Sequence, residues 1–146
     1  MQTIRLYLAT LEITRGINEE QYTETLKIGI FDDLELAKEI ADKELNKCII
    51  TDAQIKEMES VWNKYKEHIA GYWYEIPDKN KEAFNAELES LNLKEIYEDE
   101  NELLGAIICV RITTHKLNEP TTDIFSQILS ETPVYTHSHE NSDKSW

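Results

Sequence analysis

The chain has 146 residues, 40% of them hydrophobic, with only four Gly, three Pro and two Cys. These proportions fit a globular chain of one-domain size and exclude a low-complexity segment or a disulfide-stapled scaffold. Twenty-nine acidic residues against fifteen basic ones give a formal net charge of −14, a balance that attracts cationic partners and repels nucleic acid and anionic lipid.

From Thr3 to Thr14 the residues Ile4, Leu6 and Leu8 alternate with Tyr7, Ala9, Leu11 and Ile13, the period-two pattern of a strand covered on both faces. The stretch from Arg15 to Glu20 breaks it, and Leu26, Ile28 and Ile30 resume it between Tyr22 and Phe31, so a long hairpin is predicted. Asp32 or Asp33 then offers a cap for a helix carrying Leu34, Ala37, Ile40, Ala41 and Leu45 at helical spacing. A second cap at Thr51 or Asp52 opens a longer seam of Ile55, Met58, Trp62, Tyr65, Ile69 and Tyr72, about five turns of helix at the 3.6-residue period. The seam packs as core or, alternatively, forms a partner or homodimer groove.

The aromatic stretch Gly71-Tyr72-Trp73-Tyr74-Glu75-Ile76-Pro77 reads as a short extended piece or turn. Lys81 to Leu91, with Ala83, Phe84, Leu88 and Leu91, predicts a shorter helix leading into an acidic run. Gly105 to Thr114 predicts an interior strand, and Pro120 with Ile124, Phe125, Ile128 and Leu129 predicts a terminal helix. Beyond Pro133 the text is polar. The expected class is α+β: an antiparallel or mixed sheet of about three to four strands, the hairpin plus the strand near 105–114, with helices on one face. A single domain is expected over 1–133, followed by a flexible tail at 134–146.

Signatures of catalysis are missing from the text. There is no Gly-rich phosphate loop or dinucleotide fingerprint. Cys48 and Cys109 lack a local basic setting that would favour thiolate, and Ser126 and Ser130 have no His near them in sequence. No cofactor and no catalytic residue are expected. His137 and His139 give a weak metal alternative, with His115 as the third ligand that an ordered site requires. The N-terminus alternates polar and apolar residues, and the longest apolar run, Leu103 to Val110, is too short to cross a bilayer. A cytoplasmic protein is therefore expected, with no membrane and no direct nucleic-acid contact.

What remains is the location of the charge. Between residues 71 and 103 ten carboxylates face three lysines, a net of −7 in 33 residues and half of the total excess. Glu82, Glu87 and Glu89, continuing into Glu95, Glu98, Asp99, Glu100 and Glu102, are the candidate docking residues. Duplex DNA carries one negative charge per roughly 1.7 Å of axis, and a row of carboxylates can occupy a groove built for it. Tyr72, Trp73, Tyr74 and Tyr97 are the candidate anchors, since interface energy concentrates in Tyr and Trp. A solvated helix face and loop is the bland alternative.

In size, charge and style the chain resembles small acidic inhibitor proteins of bacteriophages and mobile elements, anti-CRISPR and anti-restriction proteins among them. The segment Gly29-Ile30-Phe31-Asp32-Asp33-Leu34-Glu35-Leu36-Ala37, where a helix opens after a hairpin, carries that likeness. The resemblance implies a protein-binding inhibitor that blocks a basic nuclease or nucleic-acid-binding complex in a host cytosol. An immunity protein for a cognate toxin is one alternative, and a small-molecule-binding domain or unrecognised enzyme is another.

Overall fold

The computed structural model describes residues 5–16, 20–116 and 132–146. In chain order its elements are β1 (Arg5–Arg15), β2 (Tyr22–Phe31), α1 (Leu34–Cys48), α2 (Asp52–Tyr65), β3 (Glu67–Ala70), β4 (Trp73–Glu75), α3 (Asp78–Ser90), α4 (Lys94–Glu98), β5 (Ile107–Lys116) and β6 (Tyr135–Glu140). The fold is α+β, with an antiparallel four-stranded sheet ordered β2-β1-β5-β6 and a separate two-stranded sheet, β3-β4. The helix predicted after Pro120 lies outside the described residues, as does Ile4. The expected single domain divides into two compact units, residues 1–49 with 106–140 and residues 50–105 with 141–146.

In the sheet unit, antiparallel pairing sets Ile13 against Ile108, Leu11 against Val110 and Ala9 against Ile112. These six side chains are buried and share one face, because directly opposed residues in an antiparallel pair point the same way. Ala37, Ala41 and Leu45 are fully buried at a four-residue spacing along α1, one stripe of a helix packed against β1, β2 and β5. Small alanines let the helix axis approach the sheet. The Asp33 side chain caps α1 by accepting from the Glu35 N–H at 2.9 Å.

β6 corrects the sequence reading, which made 134–146 a flexible tail. Tyr135 to Glu140 pairs with β5 from Ile112 to Ile107. An edge strand is held by its backbone ladder and by Tyr and Thr propensity, so it needs no apolar alternation, and that is why the polar text concealed it.

In the helical unit Thr51 opens α2 with a reciprocal capping box: its hydroxyl accepts from the Gln54 N–H at 3.1 Å, and the Gln54 side chain accepts from the Thr51 N–H at 2.9 Å. Ile50, Ile55, Met58, Val61, Phe84, Leu88 and Leu93 form the core, with Trp62, Tyr65, Tyr97 and Trp146 packed against it. Trp62 and Tyr65 meet Phe84 edge-on, with ring centroids 6.5 and 6.2 Å apart, so this part of the seam is core facing α3.

The predicted seam stops there. Ile69 is 52% exposed and Tyr72 fully so, because the helix ends at Tyr65 and the chain enters the β3-β4 hairpin. Ile69, Trp73 and Tyr74 favour paired strands, and Gly71 supplies the positive φ of 55° needed at the first position of a two-residue turn of type II′. Asn141, which follows β6, is 1% exposed. Its side chain accepts from the Ile50 N–H and donates to the Leu103 carbonyl, both at 2.9 Å, tying two loops of this unit together.

Candidate functional site: an acidic helix pair and an aromatic hairpin

α3 turns Phe84 and Leu88 inward, which leaves Glu82 and Glu89, seven residues apart, on its outer face. Glu87 lies at the boundary, where the Lys64 ammonium at 2.8 Å holds its carboxyl below the ordinary range. Glu89 is paired with Lys94 at 3.3 Å. In α4 the inward positions are Ile96 and Tyr97, so Glu95 and Glu98 point outward. Glu89, Asn92, Lys94, Glu95 and Glu98 line one open depression of about 440 Å³.

Asp99 serves the fold. It ends α4 in the left-handed region at φ 43°, and its carboxylate accepts from the N–H groups of Leu103 and Leu104 at 2.8 and 3.2 Å. Asp tolerates that conformation better than most residues, since its short side chain bonds locally. Glu100 and Glu102 are exposed in the following turn. Among the described residues no ion pair reaches Glu82, Glu95, Glu98 or Glu100. Within the row of eight acids, Glu87, Glu89 and Asp99 are thus engaged by the molecule itself, whereas Glu82, Glu95, Glu98 and Glu100 face solvent.

The same unit carries the β3-β4 hairpin. Tyr72 is fully exposed, Trp73 66% and Tyr74 44%, so the structure places three of the four predicted aromatics on one exposed hairpin, with Trp73 and Tyr74 on its opposite faces. Tyr97 it places elsewhere: the ring is half-buried, 5.1 Å from Phe84 and capped by Lys144 Nζ at 4.3 Å, and burial pushes its phenol up. On the hairpin His68 Nε2 donates to the Gly71 carbonyl, its ring meets Tyr74 edge-on at 5.2 Å, and Lys66 Nζ sits over Tyr74 at 4.5 Å. The sequence reading did not single out Lys66, His68 or Glu75 as site residues. Their signal was the glycine between His68-Ile69-Ala70 and the aromatic run Tyr72-Trp73-Tyr74.

Comparison with family models, with curated proteins and with solved structures returns no match.

The histidines do not converge. His137 and His139 lie opposite Val110 and Ile108 in β6, on the α1 side, whereas His115 falls on the other face of β5. No group of three or more His, Cys, Asp and Glu side chains suited to a metal ion exists among the described residues. His137 instead donates through Nδ1 to Asp42 Oδ1 at 3.0 Å, and the Tyr135 hydroxyl donates to the same oxygen at 2.7 Å. Burial raises the Asp42 carboxyl, but these two hydrogen bonds and the charges of His137 and Lys38 outweigh it, leaving a net depression. The Tyr135 phenol is pushed up to about 12 by the bond to Asp42, then by burial and by the carboxylate charge. This cluster edges a second open depression of about 580 Å³ lined by residues from Asp33 to Asp42 of α1 and Tyr135. Asp42 had no sequence cue, since its partners are more than 90 residues away.

Burial raises both thiols above their ordinary values, with Glu44 adding to the effect at Cys48 and Glu12 at Cys109, and a thiol so placed is a poor nucleophile. Among the described residues no helix is long and apolar enough to cross a membrane.

Proposed function

We propose that the protein is a protein-binding inhibitor that presents an acidic surface to a basic nuclease or nucleic-acid-binding complex and blocks access to its substrate, in the manner of phage anti-defence proteins. The observation that carries this reading is the group of exposed carboxylates, Glu82, Glu95, Glu98 and Glu100, that no cation neutralises among the described residues. Uncompensated charge on one helix pair projects a field that steers a cationic partner, and the steering weakens beyond the Debye length of about 8–10 Å at ordinary salt. An exposed aromatic hairpin in the same unit supplies the apolar component that steering lacks.

The test is affinity capture on the immobilised protein from a plausible host lysate at low and at high salt, followed by a nuclease or nucleic-acid-binding assay on each co-eluting basic protein. The expected outcome is a salt-sensitive partner whose activity the wild-type protein inhibits. Reversal of Glu95, Glu98 and Glu100 to Lys abolishes inhibition while leaving the circular dichroism spectrum unchanged. Inhibition undiminished by the reversal would end this reading.

A further inference from the structure

We infer that the β3-β4 hairpin is an arginine-recognition face, on which the guanidinium of a basic partner stacks on Trp73 beside the Glu75 carboxylate. This rests on the proposed function and names the partner chemistry that it requires.

Strand pairing sets the geometry. Glu67 opposes Glu75, His68 opposes Tyr74 and Ala70 opposes Trp73. Alternation along β4 therefore puts Trp73 and Glu75 on one face and Tyr74 on the other. The Tyr74 face is already a cation site in use: Lys66 Nζ lies 4.5 Å from its ring centroid, with the His68 ring edge-on alongside. Across the pleat Trp73 is 66% exposed and has no cation over its ring among the described residues. Indole is the strongest of the aromatic cation acceptors. One side of this hairpin is thus satisfied by the molecule's own lysine, and the side with the better acceptor is not.

The carboxylates point to the same ligand. Like charges placed directly opposite each other across strands are destabilising, yet Glu67 and Glu75 are so placed. Lys79 relieves Glu67 at 2.9 Å, while Glu75 forms no ion pair among the described residues. A planar cation lying on Trp73 satisfies that carboxylate and the ring together. Arginine suits both better than lysine does, because guanidinium stacks on aromatic rings, forks onto carboxylates and sheds water more readily than ammonium. Tyr72, fully exposed at the turn, adds apolar area next to the same side chain.

The experiment titrates the ¹⁵N-labelled full chain with oligo-arginine and with oligo-lysine of equal length at low salt, reading the Trp73 indole N–H signal, assigned with Trp73→Phe, together with the backbone signals of 94–100. Saturable movement of the Trp73 indole and about two- to fivefold tighter binding of oligo-arginine are expected. Trp73→Ala should remove that preference by weakening oligo-arginine more than oligo-lysine, and Glu75→Gln should likewise weaken oligo-arginine more than oligo-lysine. A stationary Trp73 signal with shifts confined to 94–100 overturns the hairpin inference and leaves the acidic surface standing. Binding of neither peptide overturns both.

Discussion

The two units handle their carboxylates differently. In the sheet unit Glu12 pairs with Arg111 at 3.6 Å, Glu24 with Arg15 at 3.4 Å, Glu35 with Lys38 at 3.4 Å and Glu44 with Lys47 at 2.8 Å, and Asp42 takes two hydrogen bonds from β6, while acids without an ion pair among the described residues, Glu20, Asp32, Glu39 and Glu140, are dispersed over four elements and turns. In the helical unit the three lysines between 71 and 103 are committed to Glu67, Asp78 and Glu89, which leaves Glu75, Glu82, Glu95, Glu98 and Glu100 facing solvent without an ion pair among the described residues. Exposed surface pairs contribute only about 0–1 kcal/mol each, so stability does not account for the contrast. Field does. The sheet unit also exposes apolar side chains, Tyr22, Leu26 and Ile30 on the edge strand β2, but the helical unit exposes three consecutive aromatics, Tyr72, Trp73 and Tyr74, immediately before Glu75.

The sharpest way to break this comparison is to set core against hairpin within the helical unit. Leu88 is fully buried, and Leu88→Ala should cost about 2–5 kcal/mol through lost transfer energy and the cavity left behind. Trp73→Ala, despite removing a larger side chain, should stay within about 0.5 kcal/mol because its ring is already mostly in water. Urea denaturation of the two variants reads the difference directly. Comparable losses would make the hairpin a structural element and remove its availability to a partner.

Asn141 gives the next largest effect. Asn141→Leu leaves the Ile50 N–H and the Leu103 carbonyl buried without their partners, at about 1–3 kcal/mol for each group that water cannot reach. A loss under 0.5 kcal/mol would show that both groups are hydrated. Asn141 also marks the limit of what the sequence disclosed. Alternation exposed β1, β2 and β5, and caps at Asp33 and Thr51 exposed α1 and α2, because those signals are local. β6 and Asn141 are fixed by partners 23 or more residues away and carry no apolar period. At the candidate site, composition located the charge and the aromatics. Only packing separated Asp99 and Tyr97, which serve the fold, from Glu95 and Trp73, which do not.

A smaller effect belongs to the Asp42 cluster and sharpens the account of the sheet unit. The Asp42 carboxyl is depressed in the fold, so its contribution is complete above the unfolded value of about 3.9 and is lost as pH falls through the folded value. The Tyr135 phenol is raised to about 12, so its contribution is complete below the unfolded value of about 10 and fades as pH climbs from there towards 12. Tyr135→Phe should therefore cost about 0.5–1 kcal/mol on the neutral plateau, the usual net value of a partly exposed hydrogen bond. The gap from wild type should narrow as pH falls through the depressed folded value of Asp42. Urea midpoints followed from pH 7 down through the acid range check both, and a gap that persists after Asp42 has protonated would mean that Tyr135 acts through packing alone.

The smallest expected effect has the opposite sign. Glu95 and Glu98 stand three residues apart on the outer face of a single short helix, with Glu89 beside the same depression. Like charges at that spacing repel by about 0.2–0.5 kcal/mol, so Glu95→Gln with Glu98→Gln should leave the protein slightly more stable, and added salt should erase the gain by screening the wild-type repulsion. A sequence that keeps such repulsion within one short helix retains the charge for something outside itself, since a lysine at either position would relieve the strain locally. Differential scanning calorimetry at low and high salt decides the point. A double variant less stable than wild type would show that these carboxylates support the fold, and the acidic helix pair would then lose its standing as a docking surface.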